Sequence, residues 1–255
     1  GLQDFAHAYR ERFYDVGIAE QHAVTFCAGL ASRGFVPVFA VYSSFLQRAY
    51  DQVIHDAAIE KQHIILAVDR AGIVGEDGAT HQGLFDAAFL SSIPNMTIYS
   101  PADYEGLERC LERALSAGTP QAVRYPRGEQ PILPKGRHLP GMTVYDDSPD
   151  DAGEQGQTPQ LSIVTYGRIT AACLEAAGSL AGQVRVVSLE RICPIDYDEL
   201  IPEIAGAVLF VEEGIEAGGI GQQCLFSLFQ RGACERAELA AVKGRFVPHG
   251  TTQQL

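Results

Sequence analysis

Asp69-Arg-Ala-Gly-Ile-Val-Gly-Glu-Asp-Gly-Ala-Thr-His-Gln-Gly83 follows directly on the apolar run Ile64-Ile-Leu-Ala-Val68. The run is short and shows no polar alternation, which reads as a parallel strand buried on both faces. In an open α/β sheet, ligands bind in the crevice beyond the carboxyl ends of strands. A loop carrying Arg70, Glu76, Asp77 and His81 behind such a strand therefore has the composition of an active-site loop. Gly72, Gly75, Gly78 and Gly83 let its backbone turn tightly and approach a ligand closely. The competing reading is a polar surface loop, and the placement of His81 between Thr80 and Gln82 amid so many glycines favours the functional one.

Outward from this loop, the first half alternates between the two periodicities. Helical spacing runs from Ile18 to Arg33 and from Ser44 to Lys61, with strand-like segments at Val36 to Val41 and His63 to Val68. After the loop come a short helix from Leu84 to Ser92, a strand from Met96 to Tyr99, a helix opened by Pro101-Ala-Asp103 and ending near Gly118, and a strand from Gln121 to Tyr125. From Leu161 the alternation resumes. Strands are expected at Leu161 to Thr165, Val184 to Leu189, Ala207 to Val211 and Leu239 to Val242, and helices at Ile169 to Ala181 and Gly221 to Gln230. Such alternation implies mainly parallel sheets with helices on both faces. The expected fold class is α/β, with two doubly wound, mainly parallel-sheet domains at residues 1–128 and 161–255. Between them, 129–160 reads as an acidic, Pro/Gly-rich linker holding one short strand at Met142 to Tyr145. Its centre, Asp146-Asp-Ser-Pro-Asp-Asp151, lacks calcium-loop spacing and reads as a solvated loop. Glu212-Glu213 before Gly214, Gly218, Gly219 and Gly221 matches no dinucleotide or phosphate-loop fingerprint, so a helix start or a subunit contact is the expectation.

The 255 residues are long enough for two domains of ordinary size, and 46% hydrophobic with 20% charged residues is a globular balance. Nineteen basic against 32 acidic residues give a net charge of −13, which disfavours a general nucleic-acid or anionic-membrane surface. No apolar run reaches membrane-span length and the N-terminus carries no signal-peptide pattern, so a soluble, cytoplasmic protein is expected. Cys27, Cys110, Cys173, Cys193, Cys224 and Cys234 show no zinc-site or redox spacing and read as reduced packing residues.

Three more segments carry chemistry: Tyr14-Asp-Val-Gly-Ile-Ala-Glu-Gln-His22, Tyr42-Ser-Ser-Phe-Leu-Gln-Arg-Ala-Tyr-Asp-Gln52 and Ala122-Val-Arg-Tyr-Pro-Arg-Gly128. With the glycine-rich loop they resemble, over nearly the whole chain, the 1-deoxy-D-xylulose-5-phosphate synthases, thiamine-diphosphate enzymes of the transketolase superfamily. The resemblance implies a pyrimidine-binding domain followed by a transketolase C-terminal domain. It implies that Glu20 meets the 1′ nitrogen of the cofactor's aminopyrimidine and exchanges a proton with it, leading to loss of the thiazolium C2 proton. Phe45 is implied to pack against the pyrimidine, with Ile18 lining the same pocket; on periodicity alone Phe45 reads as core. His81 is implied to act as an acid–base group near C2, Tyr42 to line the substrate pocket, and Asp77 to contact acceptor hydroxyls. Arg70 and Arg127 are implied to hold the acceptor phosphate, with Arg124 a competitor for that role. Arg48 and Gln52 are left as helix-surface or interface groups, and His22, His55 and His63 as structural ones.

The activity implied is condensation of pyruvate with D-glyceraldehyde 3-phosphate, with loss of CO₂, on the route to isoprenoid precursors and thiamine, in a homodimer. The motif by which the family holds Mg²⁺ and the cofactor diphosphate, Gly-Asp-Gly with a downstream Asn, is not in this sequence. A fragment, inactive alone, is therefore expected, with the metal ligands in an N-terminal domain. The enzymatic alternatives are a subunit of a split transketolase and a 2-oxo-acid dehydrogenase β subunit; the non-enzymatic one is a dimerising module without catalytic function.

Overall fold

The computed structural model describes residues 2–146, 159–180 and 183–255. In chain order the strands are β1 (Val38–Tyr42), β2 (Ile65–Asp69), β3 (Thr97–Tyr99), β4 (Gln121–Tyr125), β5 (Arg137–Leu139), β6 (Met142–Tyr145), β7 (Leu161–Tyr166), β8 (Val184–Leu189), β9 (Arg191–Cys193), β10 (Ala207–Ile215) and β11 (Ala237–Val242). They form a five-stranded sheet, β1-β2-β4-β3-β9, and a six-stranded sheet, β11-β10-β7-β8-β6-β5. Pairing is parallel throughout except for β3–β9, β5–β6 and β6–β8. The α/β class with two mainly parallel sheets is thus the observed architecture.

The helices bury the faces their spacing dictates. Helix Glu20–Ala31 turns Ala23, Val24, Cys27 and Ala28 inward, three and four residues apart. Helix Tyr104–Leu115 begins where Asp103 Oδ1 accepts the Gly106 N–H at 2.7 Å, a side-chain cap for one of the donors that a helix start leaves unpaired. The long helix expected from Ser44 instead runs from Ser43 to Ala58 as short α and 3₁₀ turns ending in a π-helical stretch, Val53–Ala58. The widened last turn lets Val53, Ala57 and Ala58 all face the core.

Part of the expected linker is paired into a sheet. Residues 137–145 form a hairpin that pairs through β6 onto β8, so this segment adds two strands to the second sheet where one was expected. Conversely, β9 closes an edge of the first sheet by pairing with β3. One core cluster includes Leu66, Val68 and Ile98 from the first sheet and Val164, Leu189 and Phe210 from the second. Of the acidic cluster, Asp147 to Asp151 lie outside the described residues, and Asp146 accepts from Arg185 Nε at 2.6 Å.

All six cysteines are free and all but half-buried Cys193 are buried. Burial pushes the Cys27 thiol up to about 11, as expected for packing groups rather than nucleophiles. Among the described residues no helix is long and apolar enough to cross a membrane.

Candidate functional site

Strand register assembles the site. β2 lies between β1 and β4, and the pairing places Tyr42, Asp69 and Tyr125 side by side at the carboxyl ends of the three strands. The segments that leave these ends are Ser43 onward, the glycine-rich loop, and Pro126-Arg127-Gly128. Three stretches far apart in sequence therefore open onto one sheet edge, where an α/β sheet receives ligands.

The side chains there form a continuous chain of contacts. Glu20, the first residue of its helix, has a side chain only 10% exposed and accepts from Arg48 Nη1 at 3.0 Å. The Arg48 guanidinium carbon lies 5.2 Å from the centre of the Phe45 ring. Phe45 stacks on Tyr42 with centroids 5.5 Å apart and meets the His81 imidazole edge-on at 5.3 Å. Arg70 lies over Tyr42, its guanidinium carbon 3.7 Å from the ring centre, a cation–π geometry. Arg70 also donates to Asp69 at 3.1 Å and to Asp77 Oδ2 at 3.1 Å, and Arg127 donates to the other oxygen of Asp77 at 2.8 Å. Hydrogen bonds from Arg127 first and Arg70 second hold the Asp77 carboxyl below the usual carboxylate value.

The loop's backbone is fixed at its base. Gly72 and Gly83 exchange two N–H···O bonds of 2.8 Å. A Cβ on Gly83 would lie 2.0 Å from the Arg70 carbonyl oxygen, so this approach requires glycine. Arg70 itself has φ of +61°, an uncommon region for a non-glycine residue and one that clusters at functional sites. It is held there by Asp69 Oδ1, which accepts the Arg70 N–H at 2.7 Å. Thr80 Oγ1 lies 2.9 Å from His81 Nδ1.

Of the sequence-predicted residues, Glu20, Tyr42, Phe45, Arg70, Asp77, His81 and Arg127 fall in this one cluster. Ile18 lies outside it: the residue is 90% exposed, two positions before Glu20. Arg124 is removed from competition for a phosphate, because it is buried and engages Asp86 through Nε at 2.8 Å and Nη2 at 3.0 Å. Sequence pattern alone makes Arg48 a helix-surface or interface group, and the structure joins it to Glu20. Its signal was the three-residue spacing from Phe45, which puts both on one helical face.

The donor set suits one half of a thiamine cofactor. A poorly exposed carboxylate, with Oε2 free of protein donors among the described residues, is joined through Arg48 to an aromatic ring, and an aminopyrimidine needs a carboxylate as proton partner and an aromatic neighbour to orient it. For Mg²⁺ the set does not fit: among the described residues no group of three or more His, Cys, Asp or Glu could hold a metal ion.

Two family models match the chain. The family model for the transketolase pyrimidine binding domain matches residues 1–131, and that for the transketolase C-terminal domain matches residues 151–254. The 1-deoxy-D-xylulose-5-phosphate synthase of Burkholderia thailandensis is 41% identical over 264 residues, covering 100% of this chain and 40% of that protein. The enzymes of the same name from Magnetococcus marinus and Symbiobacterium thermophilum are 42% and 44% identical, covering 100% and 98% of this chain and 41% and 38% of those proteins. The chain thus spans about two-fifths of the curated relatives it matches. Among solved structures, a split gene transketolase described as an inactive beta4 tetramer superposes with a TM-score of 0.78 at 30% identity, covering 96% of this chain and 78% of that one. The transketolase of Campylobacter jejuni, at 22% identity and a TM-score of 0.76, shares the fold. With both domain models matched and a 30% identical transketolase covering nearly all of its residues, the chain belongs to the transketolase family.

Proposed function

We propose that this chain provides the pyrimidine half of a thiamine-diphosphate site in a 1-deoxy-D-xylulose-5-phosphate synthase, joining pyruvate to D-glyceraldehyde 3-phosphate with release of CO₂. The observation that carries the reading is the unbroken run of contacts from Glu20 through Arg48, Phe45, Tyr42, Arg70 and Asp77 to Arg127, with His81 against Phe45. Thiamine diphosphate, when bound, supplies a carbon nucleophile at its thiazolium C2. Glu20 holds and exchanges a proton at N1′ of the pyrimidine, and Phe45 orients that ring. Ile18 is a candidate to cover the same ring. His81 moves a proton at the carbonyl oxygen of donor or acceptor. Tyr42 and Asp77 face the substrate, Asp77 accepting from acceptor hydroxyls.

The acceptor phosphate falls to the two arginines. Asp77 engages one N–H of each, and among the described residues Arg70 Nη2 and Arg127 Nε and Nη2 have no protein acceptor. Planar donor forks with free N–H groups are suited to a phosphate. The diphosphate and Mg²⁺ are assigned to another domain or subunit, so the chain alone is expected to be inactive. A cytoplasmic homodimer completes the proposal, and light scattering of the assembled enzyme checks the stoichiometry. A split arrangement, with the diphosphate-binding half on a separate chain, is favoured by one specific likeness, the split gene transketolase.

The test uses this chain assembled with a diphosphate-binding half. Pyruvate-dependent CO₂ release and product formation are expected with D-glyceraldehyde 3-phosphate. Arg127→Ala should lower efficiency with that acceptor by about 10- to 150-fold, the equivalent of a hydrogen bond to a charged group at roughly 1.5–3 kcal/mol. Unphosphorylated glyceraldehyde should be affected far less. Equal losses with both aldehydes would withdraw the phosphate assignment, and two-carbon transfer from a ketose phosphate without CO₂ release would replace the synthase by a transketolase.

A further inference from the structure

The second sheet has its own ligand crevice by topology, and the first domain's loop fills it. β7 leads through helix Thr170–Gly178 to β8 on one side, whereas β10 lies on the other side of β7 and leads into helix Ile220–Gln230. The strand order therefore reverses between β7 and β10, and a doubly wound sheet opens a crevice just beyond the carboxyl ends of strands at such a point. Arg168 stands two residues after β7 and Glu213 on the last turn-ward part of β10. They pair within the crevice: Arg168 Nε donates to the two Glu213 oxygens at 3.2 and 3.0 Å, and Nη2 to Oε1 at 2.8 Å.

The same Nη2 donates to the backbone carbonyl of Ile73, inside the glycine-rich loop. Gly72 seats against Glu213 with φ of +81°, and a Cβ there would lie 2.5 Å from Glu213 Oε2. The far end of the loop is held as well, since Ile215 N donates to the Leu84 carbonyl at 3.0 Å. Gln82 accepts from Val74 N at 2.6 Å and donates to the Pro248 carbonyl at 3.2 Å. An anion has no place at the adjoining helix start, because the buried Glu212 carboxylate already accepts from Gly221 N at 2.9 Å.

We infer that Arg168 is a positioning residue for the candidate site: paired with Glu213, it pins the loop at Ile73, so that the second domain uses its crevice to set Asp77 and His81 in place. The inference rests on the reading of 69–83 as the site loop. Arg168 touches no substrate under this account and acts only through the loop backbone.

Amide hydrogen exchange on the chain itself, with no cofactor present, tests the clamp independently of the catalytic reading. Arg168→Gln should speed exchange of the protected amides within residues 72–83 by about tenfold or more, the size expected when a hydrogen bond to a charged group is lost. Amides of β2, β7 and β8 should stay protected. Arg168→Lys keeps a cation within reach of Glu213 and should restore part of the loop protection. In the enzyme assembled with a diphosphate-binding half, Arg168→Gln should lower product turnover by about tenfold while hydrogen–deuterium exchange at cofactor C2 stays within about twofold of wild type. Unchanged loop exchange in Arg168→Gln overturns the clamp. A loosened loop with normal turnover overturns the positioning role and leaves the clamp and the cofactor assignment standing. If Arg168→Gln loses strand protection, Glu213→Gln is measured in its place, and an unchanged loop in that variant overturns the inference.

Discussion

Arg124→Met removes one partner of an ion pair that is almost wholly out of water. Arg124 is 3% exposed and Asp86 is 0% exposed. The guanidinium meets the carboxylate through two hydrogen bonds, of 2.8 and 3.0 Å, and lies 5.4 Å from the centre of the Tyr166 ring. Methionine fills similar space but leaves the Asp86 carboxyl buried without a countercharge. Breaking such a pair from one side costs about 3–5 kcal/mol, because the desolvated charge left behind has no compensation. At about 2–4 °C per kcal/mol for a chain of this size, the thermal midpoint should fall by roughly 6–20 °C. Removing both partners together, Arg124→Met with Asp86→Leu, should recover most of that loss. Arg127→Met is the contrast, since its side chain is 52% exposed in its pair with Asp77, and a cost of at most about 1 kcal/mol is expected. Circular dichroism melts of the four proteins decide the matter. If Arg124→Met melts within about 2 °C of wild type, or if the double variant is no better than the single one, the reasoning that makes Arg124 a structural group is refuted.

Two further outcomes follow from the same packing. Gly83→Ala should destabilise the fold by about 1–3 kcal/mol in urea titrations, the range for overpacking a filled site, because the added methyl would sit 2.0 Å from the Arg70 carbonyl oxygen and 2.9 Å from Ser43 Oγ; a cost below about 0.5 kcal/mol contradicts the close approach. Burial raises the Glu212 carboxyl above its ordinary 4.5, against the lowering by hydrogen bonds from Tyr166 and Gly221. The folded chain thus holds this proton more tightly than the unfolded one, and the stability it lends is full below the unfolded value and lost as pH rises through the folded value. Glu212→Gln should therefore gain on wild type as pH rises above 4.5, and a pH-independent gap in unfolding free energy contradicts the shift.

The elements with clean periodicity were legible in the sequence. Gln121–Tyr125 and Val184–Leu189 have the bounds that their apolar runs suggest, and Asp103 marks its helix start by capping chemistry. Strands β5 and β9 were not, because each is three residues long at a sheet edge and exists only through pairing with a distant or newly formed strand. Arg137–Leu139 also lacks the buried face that would announce it. For the site, the residues could be read but their adjacency could not: β3 intervenes in sequence between β2 and β4, yet sits outside β4 in the sheet. The fate of Arg124 was likewise hidden, since its partner Asp86 lies 38 residues away and nothing local distinguishes a buried arginine from one facing a ligand. Arg168 and Glu213, 45 residues apart, became a pair only through the reversal of strand order between β7 and β10.

The central claim is that Glu20 is the proton partner of a bound aminopyrimidine. Glu20→Gln keeps the shape of the side chain and its place at the helix start while removing the exchangeable carboxylate. In the enzyme assembled from this chain and a diphosphate-binding half, hydrogen–deuterium exchange at C2 of bound thiamine diphosphate should fall by about 10²-fold or more, with the cofactor still bound and the far-ultraviolet circular dichroism unchanged. Exchange at the wild-type rate in that variant would contradict the account.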